Sequence, residues 1–119
     1  MPAPYTLADH PYLPGPLAEL FEQLRQRIFE LDPNISIDVY KGYIAFVYVN
    51  HFVDVLTRSR SLRVLLGVPF NLLDDPRRAC TNLKGTWGYF ESEFVLTSPA
   101  QLAYCMALVQ QAFIRDTKR

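Results

Sequence analysis

The tract from Val47 to Gly67, V-Y-V-N-H-F-V-D-V-L-T-R-S-R-S-L-R-V-L-L-G, constrains this chain more than any other, because two strand-patterned runs are joined by a short turn rich in serine and arginine. A parallel crossover needs about a dozen residues or more, so a connection this short imposes the antiparallel pairing of a β-hairpin. The same turn gathers Arg58, Arg60 and Arg63 near one end. Immediately before it, Tyr43 to Val49 is apolar on both faces, the pattern of a central strand covered on both sides. Residues 43 to 67 are therefore expected as three consecutive antiparallel strands, with Ile44, Phe46, Val53, Val55, Val64 and Leu66 buried.

The flanking segments supply what covers such a sheet. Pro16 suits the first turn of a helix, and Leu17, Leu20, Phe21, Leu24, Ile28 and Leu31 recur at helical spacing up to Asp32-Pro33-Asn34. Ile35 to Lys41 alternates as a half-buried strand. Asp75 followed by Pro76 reads as a helix start, with Ala79, Cys80 and Leu83 giving a short middle helix one apolar side. Tyr89 to Leu96 sets Phe90, Phe94 and Leu96 against Glu91 and Glu93, a strand with one wet face. Ser98-Pro99-Ala100-Gln101 is a capping box, after which Leu102, Cys105, Met106, Val109, Ala112 and Phe113 mark the stripe of a C-terminal helix. The expected fold is α+β: one domain over 17–114, with an antiparallel sheet of four to five strands packed by N-terminal, middle and C-terminal helices. A proline-rich arm, 1–16, and a basic tail, 115–119, flank it.

With 119 residues, half of them hydrophobic, the chain has material for one core and not two. Twelve basic and twelve acidic side chains cancel, so any anion or nucleic-acid binding must be local. Neither a signal-peptide pattern nor an apolar run long enough to span a bilayer occurs, and a cytoplasmic protein is expected. Cys80 and Cys105 are expected as buried free thiols, with a disulfide or metal role as the alternative.

Arg58, Arg60 and Arg63, with Lys41 and Lys84 nearby, form a candidate phosphate-binding patch, since guanidinium forks match phosphate oxygens and keep their charge. The plainer reading is a solubilised hairpin tip whose charge blocks edge-to-edge pairing. Tyr40, Tyr43, Tyr48, Trp87 and Tyr89 would serve a nucleic-acid surface by base stacking if exposed beside the arginines; core packing is the competing role. Trp87, between Thr86 and Gly88, is either the lid of a pocket or the plug of a core edge. Asp74 and Asp75 are paired carboxylates, but capping already accounts for Asp75. His10 and His51 have no partner at metal-ligand spacing. H-E-x-x-H, paired C-x-x-C, G-x-S-x-G and a phosphate-cradling glycine loop are all missing, so neither catalytic residues, a metal site nor a cofactor is expected.

H-P-Y-L-P-G-P, Y-I-A-F with F-V-D-V, L-R-V-L-L-G-V-P-F-N, D-D-P-R, W-G and S-P-A-Q-L-A-Y-C-M-A-L-V-Q-Q-A-F together resemble a small uncharacterised bacterial domain family labelled a predicted transport protein. The resemblance runs from about His10 to Phe113 and implies an α+β domain found alone or at the C-terminal end of larger proteins, some with nuclease or restriction-like modules. It brings no activity, cofactor or catalytic residue. The expected function is a non-enzymatic recognition or adaptor domain that binds a protein partner, or nucleic acid or another anion, through the arginine-bearing hairpin. The alternative is a small-molecule-binding domain with a pocket near the Trp87 loop. Strand order and oligomeric state are left open.

Overall fold

Alternation along the hairpin tract becomes two chemically different sheet faces. The computed structural model describes residues 5–11, 13, 15–83 and 90–118, so Lys84, Trp87 and Tyr89 lie outside the described residues. β1 (Ser36–Val39), β2 (Ile44–Val47), β3 (His51–Thr57) and β4 (Leu62–Leu66) form an antiparallel meander. β5 (Thr81–Asn82) lies on the far edge and pairs with β6 (Ser92–Leu96), which pairs with β4, giving the order β1-β2-β3-β4-β6-β5. The three strands expected over residues 43 to 67 are present, and the six side chains expected inside are fully buried.

Register explains that burial. Ile44 lies opposite Val55, Val55 opposite Val64 and Val64 opposite Phe94, while Phe46, Val53 and Leu66 make a second row on the same face. α1 (Ala18–Phe29) and α2 (Leu102–Thr117) cover this face and join it in one core through Leu20, Phe21, Leu24, Ile28, Leu108 and Val109. Phe46 is held by the Phe21 and Phe29 rings, with centroids 6.4 and 5.7 Å away. Each such side chain removed from water contributes about 1.5–3 kcal/mol, which makes this layer the main source of stability.

The α+β class stands, with one more strand among the described residues than expected. β5 has only two residues, too short for periodicity to register. β2 lies second from an edge; the centre of the sheet is the β3–β4 pair. The middle helical element is a 3₁₀ turn at Phe70–Leu72, upstream of the expected helix. Asp75 does capture orphan N–H groups, those of Ala79 and Cys80 at 3.1 and 2.8 Å, but closes a loop in which Arg78 takes φ +50°, outside helical space. Tyr104 donates its hydroxyl to the same carboxylate. Glu93, expected on a wet face, is buried at 5 % exposure. Cys80 and Cys105 are buried free thiols, as expected, though Cys80 lies in the loop rather than on a helix. Within the arm, Leu7–Asp9 forms a 3₁₀ turn and the His10 ring is buried, with Nε2 at 2.8 Å from the Tyr40 carbonyl oxygen.

α2 continues through Thr117, into the segment expected as a tail. Asp116 is the reason. Its carboxylate is 3 % exposed and accepts the Val49 N–H at 2.8 Å, the Asn50 N–H at 3.0 Å and the Asn50 side-chain amide at 3.2 Å. The last turn of the helix thus satisfies the β2–β3 turn, whose backbone donors have no ladder partner there. Charge-assisted bonds to a buried acceptor are each worth roughly 1.5–3 kcal/mol, and removing the acceptor strands the donors. Asp116→Ala should lower unfolding free energy by about 2–4 kcal/mol in urea titrations; a loss within error of zero would return residues 115–119 to the status of a tail.

Candidate polar pocket on the second sheet face

The face away from the helices carries a different row of residues. Asp38 lies opposite Ala45, Ala45 opposite Asp54, Asp54 opposite Leu65, and Leu65 opposite Glu93. Leu56, Leu65, Leu83 and Phe90 form a small apolar cluster on this side, with Tyr43 packed against it. Above that floor is a cavity of about 800 Å³ lined by Tyr43, His51, Asp54, Leu56, Arg58 and Phe90, among others. Its size suits a small organic molecule, and an apolar floor with a few convergent polar groups is the usual composition of such sites.

A β-bulge makes the polar end. Phe46 faces Val53 and Val47 faces His51, so Phe52 is an extra residue in β3. Its ring goes to the helix side, where its centroid lies 5.5 Å from that of Phe113. In an unbroken strand residues 51 and 54 would point to opposite faces. The inserted residue returns them to the same face, placing His51 Nδ1 3.7 Å from Asp54 Oδ1. Gly67 gives the bulge room: its N–H donates to the Phe52 carbonyl at 2.9 Å, and a Cβ at Gly67 would stand 3.1 Å from that oxygen.

Asp54 is the unusual group. It is 8 % exposed, and Oδ1 is buried without a hydrogen-bond partner among the described residues. Burial pushes its carboxyl up from the usual carboxylate range to about 7. The Tyr43 phenol is also raised, chiefly by burial and then by the nearby Asp54 charge. Tyr40 stacks on Tyr43 with centroids 4.7 Å apart, so the wall beside Asp54 is a double aromatic layer.

The arginines expected as one patch take different places. Arg58 lines the pocket and donates from Nη1 to the Thr57 carbonyl at 3.0 Å. Arg60 is exposed at the turn. Arg63 points along the sheet face to Glu93, with Nη2 to Oε2 at 2.5 Å, so its charge is balanced locally. The other expected site residues, Lys84 and Trp87, lie outside the described residues. Sequence reasoning missed Asp54 and His51 because F-V-D-V reads as an ordinary alternating strand; the signal was an acid in an otherwise apolar run. Among the described residues no group of three or more His, Cys, Asp or Glu side chains is arranged to hold a metal, and no helix is long and apolar enough to cross a membrane.

The buried carboxyl has a signed effect on stability. In the unfolded chain Asp54 loses its proton near pH 3.8, whereas in the fold it keeps it up to about pH 7. The folded state therefore holds the extra proton between these values, and stability falls as pH rises from about 4 to 7. Asp54→Asn should raise unfolding free energy by about 2–4 kcal/mol at pH 8 and by little at pH 4. Urea titrations at the two pH values check this, and an equal effect at both would show that the carboxyl is not perturbed.

Over 102 residues the chain is 35 % identical to an uncharacterised protein of Haemophilus influenzae, an alignment covering 84 % of this chain and 33 % of that protein. The chain thus spans about a third of that relative's length. No solved structure matches it. Residues 9–114 match a domain of unknown function, DUF5655, and that span takes in the whole hairpin, the bulge and most of α2; the chain belongs to the DUF5655 family.

Proposed function

We propose that this domain binds a small organic molecule in the pocket on the second face of its sheet. The observation that carries the reading is the buried Asp54 carboxylate, which lines the cavity with one oxygen lacking a hydrogen bond among the described residues. An unsatisfied buried acceptor costs roughly 1–3 kcal/mol, a cost that a ligand donor would offset. Sites are commonly assembled where bulges re-aim side chains, and the Phe52 bulge does this for His51. A solute pocket also accords with the predicted-transport label of the family that the sequence resembles. In a longer protein such as the relative, the domain would serve as a ligand-responsive module.

Gly42 lines the pocket, and a Cβ there meets nothing within 4 Å, so Gly42→Trp would fill the cavity without disturbing the core. In a fragment screen followed by amide NMR shifts, hits are expected to map to Tyr43, His51, Asp54 and Leu65, and to weaken at least about tenfold, roughly 1.4 kcal/mol, in the Gly42→Trp variant at unchanged melting temperature. Hits that map elsewhere, or that bind the variant equally, would dispose of the pocket reading.

The exposure of Arg58 and Arg60 at the hairpin tip supports a second reading, a recognition surface for nucleic acid or an acidic protein partner in a cytoplasmic setting. Two available cations would give modest oligonucleotide affinity falling with log salt at a slope of about −2. Fluorescence anisotropy at two salt concentrations, with Arg58→Ala/Arg60→Ala as control, tests it; no binding at low salt removes nucleic acid as the partner.

A further inference from the structure

The pocket's electrostatics narrow what it accepts. Resting on the pocket reading, we propose that its ligand is an organic cation: a molecule with an ammonium or amidinium head seated on Asp54 and the Tyr43 ring, and an apolar ring body lying on Leu56, Leu65 and Phe90.

A carboxylate taken out of water needs a counter-charge or several donors. Asp54 Oδ1 has no hydrogen-bond donor among the described residues; His51 Nδ1, 3.7 Å away, is too far for a hydrogen bond and supplies a counter-charge only when its ring is protonated. Among the described residues two arginines belong to this face. Arg63 is held by Glu93. Arg58 stands at the other end of the pocket, its Cα on the order of 13 Å along the strand from that of Asp54, and keeps its charge while donating to the Thr57 carbonyl. Around Asp54 the facing charged and titratable groups are Asp38 and Tyr40 from β1 and its following turn, Tyr43 at the entry to β2, His51 and Arg58 at the ends of β3, Arg63 from β4 and Glu93 from β6. Among the described residues three carboxylates, those of Asp38, Asp54 and Glu93, share one row, while of the two arginines on this face Arg63 is paired with Glu93 and Arg58 stands at the far end of the pocket. This row favours positive charge at its middle.

A metal ion does not suit the same row. Its carboxylates stand two strands apart, on the order of 10 Å, too far to share an inner coordination sphere. An organic cation needs only one carboxylate and an aromatic face. The Tyr40–Tyr43 stack supplies the face beside Asp54, and a cation over a tyrosine ring within about 6 Å adds to the attraction. The leucines and Phe90 then desolvate the ligand's body.

The test compares three near-isosteric probes, 2-phenylethylamine, 2-phenylethanol and 3-phenylpropanoate, by amide NMR titration of the intact chain. The amine should bind at least about tenfold more tightly than the alcohol, and the carboxylate should not bind. Because the ionised form of Asp54 is the one that pairs with a cation, amine affinity should rise about tenfold between pH 6 and pH 8. Asp54→Asn should remove both the preference and the pH dependence, and a pH dependence that persists in this variant would belong to His51 and overturn the assignment to Asp54. If the alcohol binds as tightly as the amine at these residues, the cation assignment is overturned and the pocket reading survives. If none of the probes shifts the pocket amides, both are overturned.

Discussion

One extra residue in β3 governs the chemistry of this domain. Phe52 interrupts the register, sends its own ring into the helix-covered core and turns His51 toward Asp54 on the other side. Without that slip, Asp54 would be a lone buried acid and His51 would face the helices. The bulge is held from two directions. Asp116, at the end of α2, fixes the preceding turn through the Val49 and Asn50 N–H groups, and Gly67 of the neighbouring chain segment bonds the Phe52 carbonyl. Helix end, turn and bulge therefore form one mechanical unit, and the pocket inherits its shape from it.

The two faces divide stability and chemistry between them. On the helix side, the strands contribute Ile44, Phe46, Val55, Val64 and Leu66, and the helices Leu24, Ile28 and Val109, to a continuous apolar layer that bears most of the folding free energy. The other side keeps a row of acids among apolar residues, an arrangement that opposes folding at neutral pH because a carboxyl is being held out of water. Such local opposition is characteristic of places that bind something, and the large helix-side core lets the fold carry it.

Legibility in the sequence followed the same division. Periodicity identified the hairpin tract, α1 and the stripe of α2, since each is a long amphipathic or doubly apolar pattern whose driving force is burial. It failed where a few specific bonds decide the outcome. Asp75 was legible as an acceptor of orphan N–H groups, but whether it opens a helix or closes a loop depends on Tyr104 and on the backbone of Arg78, both beyond local pattern. The five terminal residues look like a solvated tail because their charges say so, and only the three-dimensional position of the β2–β3 turn turns Asp116 inward. Glu93 reads as a solvent-facing acid until Arg63 is seen beside it. The pocket was hidden for a related reason: a bulge shifts side-chain phase by one, and nothing in F-V-D-V marks where the count is broken.

Gly67 carries a consequence for how sequences of this kind can drift. It is not among the residues described as lining the pocket, yet any side chain there would press on the Phe52 carbonyl at 3.1 Å, against backbone that is already bulged. Alanine at this position would push on the inserted residue and so change the angle at which His51 meets Asp54, two positions that an inspection of the pocket alone would never connect to it. Variation at a silent-looking glycine is thereby tied to the shape of the pocket's polar end, and a search for residues that set that shape among relatives should begin at the end of β4 as well as at its walls.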